Sequence, residues 1–299
     1  MTTALAVTSR NLSASSALTI LTRGSDFMEK MSDIDKLLLL EGEDDSQAFT
    51  FKPTRIKVSA GGGKSFQTED GTMIPSPMTG TIIFGVKTRA YWPETNGNKV
   101  PFCSSVGNVT GLVNPNFIES DIAFGSHAQS PHLAIIDLNN GGMIRPSYSC
   151  DSCPMNEFGS DHQRGGRGKG CKEKVAIFFL PTGWHQPAIL SVPTMSIPAW
   201  NSFCSSLRQM SGKPYYAFKT KIEVEVKKNS NDISYGQMVF TPTDEISDVD
   251  VIRAVLALQG EAKEYLKANN IDVHVDDGTE FVESPNGSVI DGLTGEILN

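Results

Sequence analysis

The chain lacks the sequence features of membrane and secreted proteins. None of its 299 residues lies in a window that approaches about eighteen consecutive apolar side chains, so we expect no membrane-spanning helix and no membrane partner. The apolar run Ala17–Leu21 is too short for the core of a secretory leader. No internal repeat is present. The class that these exclusions leave is a globular protein with one good hydrophobic core and room for a second small module.

The motifs of several enzyme classes are also missing. None of the five histidines begins the H-E-x-x-H pattern of zinc proteases or has the Glu two residues on that zinc deaminases require. The stretch Gly61–Ser65 ends like a phosphate-binding loop, but Val58 stands where that loop needs its first glycine. Turn residues follow it, and we therefore expect a flexible connection between strands. The chain is predicted not to be an enzyme.

Cysteine is scarce, and four of the five cysteines fall between residues 103 and 171. They are Cys103, the C-x-x-C pair Cys150 and Cys153, and Cys171. Four thiolates in a tetrahedron hold a structural zinc ion, and the spacing of the pair lets two sulfurs of one turn face the same metal. Structural zinc is the preferred interpretation. Free buried thiols and a disulfide pair are the alternatives, and His162 is an alternative fourth ligand.

The segment that carries these cysteines, residues 93–172, is called the cysteine module below. It has few apolar residues from which to build a core, and this favours a metal. The metal-like cysteine pattern suits a reducing compartment, so we expect a cytoplasmic location, in the host cytoplasm for a viral protein. The fifth cysteine, Cys204, is expected in the core of a helix.

Charge is distributed unevenly along the chain. Residues 1–50 carry a net charge of −4, residues 51–240 a net charge of +6, and residues 241–299 a net charge of −10. A basic body favours a polyanionic partner, and an acidic arm is typical of an interaction tail. A solvated surface with an acidic terminal helix is the alternative interpretation.

Hydrophobic periodicity predicts mostly strands. Strands are expected at 51–59, 80–92, 174–180, 188–192, 215–228 and 235–240, and helices at 25–40, 197–211 and 247–268. Gly85 is expected to mark a bulge or bend. The second helix should bury Trp200, Phe203, Cys204, Leu207 and Met210 and end at Gly212, and the third should bury Val251, Val255, Leu256 and Leu258. An acidic linker at 41–45 and a disordered tail at 269–299 complete the prediction.

This order of elements predicts a mainly β, α+β fold of the oligonucleotide/oligosaccharide-binding (OB) type. That Greek-key barrel has five strands, with a helix between the third and fourth, and the helix at 197–211 takes that place. We expect an N-terminal arm over residues 1–50, the OB-like barrel over 51–240 with the cysteine module inserted at 93–172, and a C-terminal helix and acidic tail over 241–299. An α+β sandwich of the same elements is the alternative.

Basic residues mixed with aromatic ones suggest how a polyanion would bind. Single-stranded nucleic acid is gripped by cations that follow its phosphates and by aromatic faces that stack on its bases. The predicted contact residues are Lys57, Lys87, Arg89, Tyr91, Trp92, Tyr148, Arg164, Arg167, Lys169, Lys172 and Lys174. For any one of the aromatic residues, core or loop packing is the competing interpretation. The run from Arg164 to Gly170 can likewise be a flexible, solvated loop.

Several segments together resemble a group of phage and prophage single-stranded DNA-binding proteins with a zinc-bearing barrel. They are Cys103-Ser-Ser, Cys150 to Ser160, Gly168-Lys-Gly-Cys-Lys172, Pro187 to Leu190 and the helix of Trp200, within residues 52–240. The resemblance implies zinc at the four cysteines and a role in DNA replication or recombination. The acidic C-terminus resembles the tails by which such proteins contact replication partners.

The functional hypothesis is therefore a phage-type single-stranded DNA-binding protein with a structural zinc ion. One alternative is a zinc-containing nuclease that draws its acids from Asp121, Asp137 and Asp161. Another is a virion or host-takeover protein that binds a protein partner through the cysteine module.

Overall fold

The computed structural model describes most of the barrel region and parts of both termini. The described residues are 14–23, 53–59, 63–92, 101, 103–113, 136–137, 142–143, 147–160, 168–228, 234–268, 281–283, 289–291 and 297–298. The helix predicted at 25–40 and the acidic linker lie outside them.

The chain is mainly β, with three α-helices in the described residues. The helices are α1 (Ala14–Arg23), α2 (Ile197–Ser211) and α3 (Val249–Ala268). The strands are β1 (Thr54–Val58), β2 (Ser65–Thr68), β3 (Met73–Pro75), β4 (Met78–Tyr91), β5 (Cys103–Val106), β6 (Thr110–Val113), β7 (Ile136–Asp137), β8 (Gly142–Met143), β9 (Ser147–Ser149), β10 (Cys171–Pro181), β11 (Ala188–Val192), β12 (Phe218–Lys228), β13 (Ser234–Glu245), β14 (Phe281–Glu283), β15 (Val289–Asp291) and β16 (Ile297–Leu298).

One large sheet organises the molecule around β4. Its order is β3-β2-β1-β11-β10-β4-β5-β6-β9, and β12 also pairs with β4 and carries β13 on its other side. All pairs are antiparallel except β1 with β11. The sheet curls into an open half-barrel. Gly236 of β13 lies against Val58 of β1, where an added Cβ would come within 2.6 Å of the valine Cγ1.

Alternate residues of β10 bury into two different cores, because successive side chains of a strand point to opposite faces. Val175, Ile177 and Phe179 face the inner core, which α2 closes with Trp200 and Phe203. Ala176, Phe178 and Leu180 face an outer core under α1 and α3. The sheet is therefore covered by helices on both faces along β10 and β11.

Several predicted elements are confirmed. The helix predicted at 197–211 is α2, which ends at Gly212 in the left-handed region (φ 70°), with the Gly212 N–H donating to Arg208 O. The strand at 188–192 is β11, and the final helix is α3. Ser65 begins strand β2, whereas a phosphate-binding loop would lead into a helix there; Gly61 and Gly62 lie outside the described residues. The predicted helix faces are partly wrong: Met210 is 87% exposed and Leu256 is 47% exposed.

The predicted bulge at Gly85 is displaced along the strand. The register between β10 and β4 shifts between Phe178 and Phe179, which face Phe84 and Ile82, so Ile83 is the extra residue. Gly85 serves packing instead, because a Cβ there would lie 2.7 Å from Trp200 Cζ2. Its N–H donates a hydrogen bond of 3.1 Å to the hydroxyl of Tyr215.

The termini contain structure that the sequence did not predict. Helix α1 packs its buried residues Ala17, Leu18 and Ile20 into the outer core beside α3. Strands β14, β15 and β16 form a small antiparallel sheet, so the prediction of disorder is wrong for these residues. Among the residues that the structure describes, no helix is both long and apolar enough to cross a membrane.

Candidate metal and nucleic-acid site

Two of the predicted zinc ligands flank one residue of the central strand. Tyr91 at the end of β4 pairs with Cys171 of β10 on one side and with Cys103 of β5 on the other. Directly opposed residues of neighbouring strands project to the same face. Cys103 and Cys171, which are 68 positions apart in the sequence, therefore share one end of the sheet.

The C-x-x-C pair lies in a turn that follows β9. The Cys150 N–H donates to Val109 O at 2.9 Å, which ties the turn to the start of β6. The Asn156 N–H donates to Cys153 O at 2.9 Å, and the Asn156 side-chain amide donates to Cys150 O at 3.0 Å. Backbone hydrogen bonds and one side chain thus fix both cysteines in a single tight turn.

Ser160 connects this turn to the strand that begins at Cys171. Its hydroxyl accepts the Gly170 N–H at 2.9 Å and lies 3.0 Å from Met155 O. Lys169 Nζ donates to Asn156 Oδ1 at 3.1 Å and lies 5.0 Å from the centre of the Phe158 ring. These contacts hold the turn beside β10 and bring the two halves of the cysteine pattern together.

The four thiols are close enough to affect one another electrostatically. Burial is the main cause that raises the pKa of Cys103, and the thiols of Cys171, Cys153 and Cys150 raise it further. Burial likewise raises the pKa of Cys171 to about 12, with Cys153 and Cys150 adding to the shift. All five cysteines of the chain are free thiols, so the disulfide alternative is not realised.

The thiols are gathered without standing in ligating positions. Within the described ranges, no three Cys, His, Asp or Glu side chains are placed so that they would hold one metal ion. The mutual pKa effects act over longer distances than a metal–sulfur bond of about 2.3 Å, so the two observations are compatible. The four thiols are therefore neighbours in the fold, and their side chains do not surround one common point. His162 lies outside the described residues.

A buried guanidinium stands next to this cluster. Arg89 precedes Tyr91 by two residues on the same face of β4, between Ser105 of β5 and Glu173 of β10. Its side chain is 12% exposed, and Nη2 donates to Glu173 at 2.9 Å. Its Nε and Nη1 atoms are buried and find no hydrogen-bond partner among the described residues. A buried donor without an acceptor is costly, so this arrangement calls for an acceptor at the cysteine cluster.

The cations predicted to bind phosphates differ in their position in the sheet and in their ion-pair partners. Lys87 and Arg89 both pair with Glu173, at 3.5 and 2.9 Å. Lys172 and Lys174 occupy alternate positions from Glu173, so they project to the opposite face of the sheet, where Lys174 is buried. Lys57 lies on β1, several strands away. Arg164 and Arg167 lie outside the described residues. Lys57, Lys87, Arg89, Lys172 and Lys174, all of which the structure describes, therefore do not line one groove.

The predicted aromatic residues lie near the cysteine module. Tyr91 and Trp92 are partly buried at the end of β4. A Cβ added at Gly170 would lie 3.5 Å from the Tyr91 ring, which places that ring against the module. Tyr148 lies on β9 opposite Gly111. Tyr91 thus packs against the cysteine module, and the stacking of Tyr91, Trp92 and Tyr148 on bases stays a prediction.

Three residues of this site were not identified from the sequence. Asn156 and Ser160 organise the turn, and Glu173 neutralises two of the expected phosphate-binding cations. The sequence held a signal for the first two, since both lie inside the segment Cys150 to Ser160. The partner of Arg89 is 84 positions away, and only the strand register brings the two together.

Comparison with known proteins returns no relative. No protein-family model matches the chain, and neither a curated protein nor a solved structure is similar to it.

Proposed function

We propose that this protein binds single-stranded DNA without catalysing a reaction, through an OB-type barrel that carries a structural zinc ion. The proposed setting is phage DNA replication or recombination. The observation that carries the proposal is the connectivity of the sheet together with the position of the four cysteines in it.

The connectivity of part of the sheet resembles that of an OB barrel and supports the proposal. β4, β10 and β11 form an antiparallel meander, α2 follows, and β12 returns to pair with β4 before β13 pairs with β12. A five-stranded OB barrel has this order, with its helix between the third and fourth strands. β1 takes the parallel position beside β11 and lies against β13, so it fills the gap in the curled sheet. The cysteine module is then an insertion between the first and second barrel strands.

The positions of the helices suggest that DNA binds to the loops between strands and not to the face of the sheet. OB barrels bind oligonucleotides on the face of their second and third strands and on the loops between strands one and two and between strands four and five. Here α1 and α3 cover that outer face of β10 and β11. The cysteine module occupies the first of these loops, and its run from Arg164 to Lys169 supplies cations. We therefore assign the phosphate contacts to the module.

Zinc fits the donor set at the cysteines. Four thiolates around one Zn²⁺ carry a net charge of −2, and outer groups that donate hydrogen bonds to the ligands stabilise such a site. Arg89 offers two buried donor nitrogens, Nε and Nη1, and a positive charge beside Cys153 and Cys171. The cation would also offset the cost of deprotonating the four thiols, of which Cys150 is buried and the other three are partly buried.

The test is a binding curve on single- and double-stranded DNA at several salt concentrations, with a labelled oligonucleotide and fluorescence anisotropy. We expect preferential binding to the single strand. Replacing Arg164, Arg167 and Lys169 together by Gln should weaken binding and lower the salt slope by about 2, because each lost phosphate contact removes about 0.7. A control that replaces Lys213, Lys219 and Lys221 by Gln removes the same charge outside the module and should preserve the slope.

Three outcomes would contradict the proposal. Unchanged affinity and slope in the module variant, with loss in the control, would place the contacts elsewhere. Cleavage of the oligonucleotide in the presence of Mg²⁺ or Mn²⁺ would make the protein a nuclease. If the wild-type protein neither shifts nor cleaves the strand, a protein-interaction role would replace DNA binding.

A further inference from the structure

An open cavity of about 510 Å³ lies between helix α3 and strands β4, β5 and β6, and we call it the α3 cavity. Phe84, Val106 and Leu112 line it on the sheet side, and Leu266 lines it on the helix side. It lies on the outer face of the sheet, opposite the face that carries Cys171 and Arg89. Small-molecule sites typically have volumes of about 300–1,000 Å³, apolar walls and a few polar groups, and the α3 cavity matches this description.

Gly260 keeps the helix side of the cavity open. It lies well inside the 20-residue helix α3, where glycine weakens the helix relative to alanine. A Cβ at this position would meet no atom within 4 Å among the described residues, so packing does not require a glycine. What its missing side chain provides is space in the cavity wall, and a larger residue would take up that space.

The polar groups at the cavity fit an aromatic ring that carries a phosphate. Lys263 Nζ lies over the Phe84 ring, 5.4 Å from its centre, so an aromatic face and a cation lie together in the cavity wall. A base that stacks on this face would take the place of the ammonium group, which the long, flexible lysine side chain can move toward the phosphate. The Phe84 ring is held by Phe178, whose centroid is 6.3 Å away. Thr110 and Glu264 also line the cavity, and a hydroxyl and a carboxylate can hydrogen-bond to the edge of a base.

We propose that the α3 cavity binds one unstacked nucleotide, with its base against Phe84 and its phosphate at Lys263. This rests on the proposed single-strand binding and adds to it a base site on the sheet face opposite the cysteine cluster. Helices cover the outer face of β10 and β11, whereas at this cavity an aromatic side chain of the sheet meets an open volume. A free nucleotide has the same chemistry as one nucleotide of a strand, so the experiment separates the two sources.

The experiment measures two ligands on the full chain: a labelled thymidine oligonucleotide of about twenty nucleotides, longer than one OB site, and free dAMP or dTMP. Anisotropy follows the oligonucleotide, and saturation-transfer NMR follows the mononucleotides. Gly260→Leu fills the cavity and should weaken oligonucleotide binding roughly five- to a hundredfold at an unchanged salt slope, the range expected for one lost stacked base. Lys263→Gln should lower the slope by about 0.7.

Two control variants match these changes. Gly260→Ala gains similar helix propensity but fills little space, and it should bind like the wild type. Lys219→Gln removes one positive charge from an exposed residue that does not line the cavity, and its effect on the slope should be smaller than that of Lys263→Gln.

The outcomes separate this proposal from the proposed function. If the wild type binds the oligonucleotide but Gly260→Leu binds equally well, the cavity proposal is wrong and single-strand binding stands. If mononucleotides bind and Gly260→Leu abolishes that signal while the oligonucleotide does not bind, the cavity is a nucleotide site and the proposed function is wrong. A lower melting temperature of Gly260→Leu would mean that another part of the chain already fills the cavity, which also overturns the proposal.

Discussion

Buried charges determine how the cysteine cluster can behave. Burial raises the pKa of Cys153 and Cys171, and the positive charge of Arg89 acts in the opposite direction on both. Nη2 of the same guanidinium donates to Glu173, whereas Nε and Nη1 are buried and have no hydrogen-bond partner among the described residues. Without a metal, the buried donors of Arg89 would lack acceptors and the thiols would crowd one another. In the proposed zinc site, thiolates bound to the metal would accept hydrogen bonds from Arg89, and the metal would offset their negative charge.

The cysteines provide a matched test of zinc binding. Cys171→Ser should lose most of the zinc, because three thiolates leave the shell incomplete and zinc binding energy is also folding energy. Cys204→Ser should keep about one zinc per chain, since Cys204 lies partly buried on α2 against the inner core. Elemental analysis after dialysis against a weak chelator measures both variants. Full zinc retention in Cys171→Ser, or a wild-type protein that purifies without metal, would contradict the assignment.

Helix α3 contributes to the outer core with one side only. Leu258 is fully buried against the sheet, whereas Leu256, two residues earlier, is 47% exposed. Ala254, Ala262 and Leu266 continue the buried stripe at intervals of four residues, which lie on one face of a helix. The helix therefore supports the fold through a narrow row of contacts.

This difference makes a leucine pair a direct test of the packing of α3. Leu258→Ala should lower the free energy of unfolding by about 2–5 kcal/mol, since it removes a fully buried side chain and leaves a cavity. Leu256→Ala should change it by no more than about 0.5 kcal/mol, as is usual for surface positions. Urea unfolding followed by circular dichroism measures both. Equal losses in the two variants would show that α3 packs through a different face.

Local signals predicted some of these elements better than others. The end of α2 was predicted because Gly212 follows a regular apolar repeat and adopts the left-handed conformation that favours glycine. The apolar repeat continues into the last turn of α2, although Met210 in that turn does not pack on the core, so the prediction that Met210 is buried was wrong. Helix α1 was not predicted, because most of the stability of so short a helix comes from tertiary packing, here against α3.

The arrangement of the whole sheet decides which site predictions are correct. The cysteine spacing predicted that four thiols would gather, and β4, β5, β9 and β10 bring them to one end of the sheet. The basic groove was predicted because its cations lie near one another in the sequence. Nearness in sequence does not determine on which face of the sheet a side chain lies. Arg89 and Lys174 lie on opposite faces, and Glu173 pairs with Arg89 only because of the register between β4 and β10. Strand pairing of this range cannot be derived from local periodicity.

The uneven charge of the chain leads to a final prediction about its acidic C-terminal segment. Residues 241–299 carry a net charge of −10 beside a body of +6, and the part after Ala268 holds seven acidic residues and no basic one. A tethered anion is present at high effective concentration, so it should compete with DNA for the basic surface. Exchanging these seven residues for Asn and Gln should therefore tighten single-strand binding at low salt. The gain should shrink as the Debye length falls to about 8 Å near physiological ionic strength.

A chain that ends at Ala268 is the second form of this test, since it keeps all of α3 and the outer core. Both variants remove the same seven charges, and only the shortened chain also removes strands β14 to β16. Equal tightening in both would assign the effect to charge, whereas tightening in the shortened chain alone would assign it to the strands. Affinity that stays unchanged in both at low salt would show that the segment does not compete with DNA. Its acidity would then favour a basic protein partner, since a charged tail attracts ligands of opposite sign over the range of the Debye length.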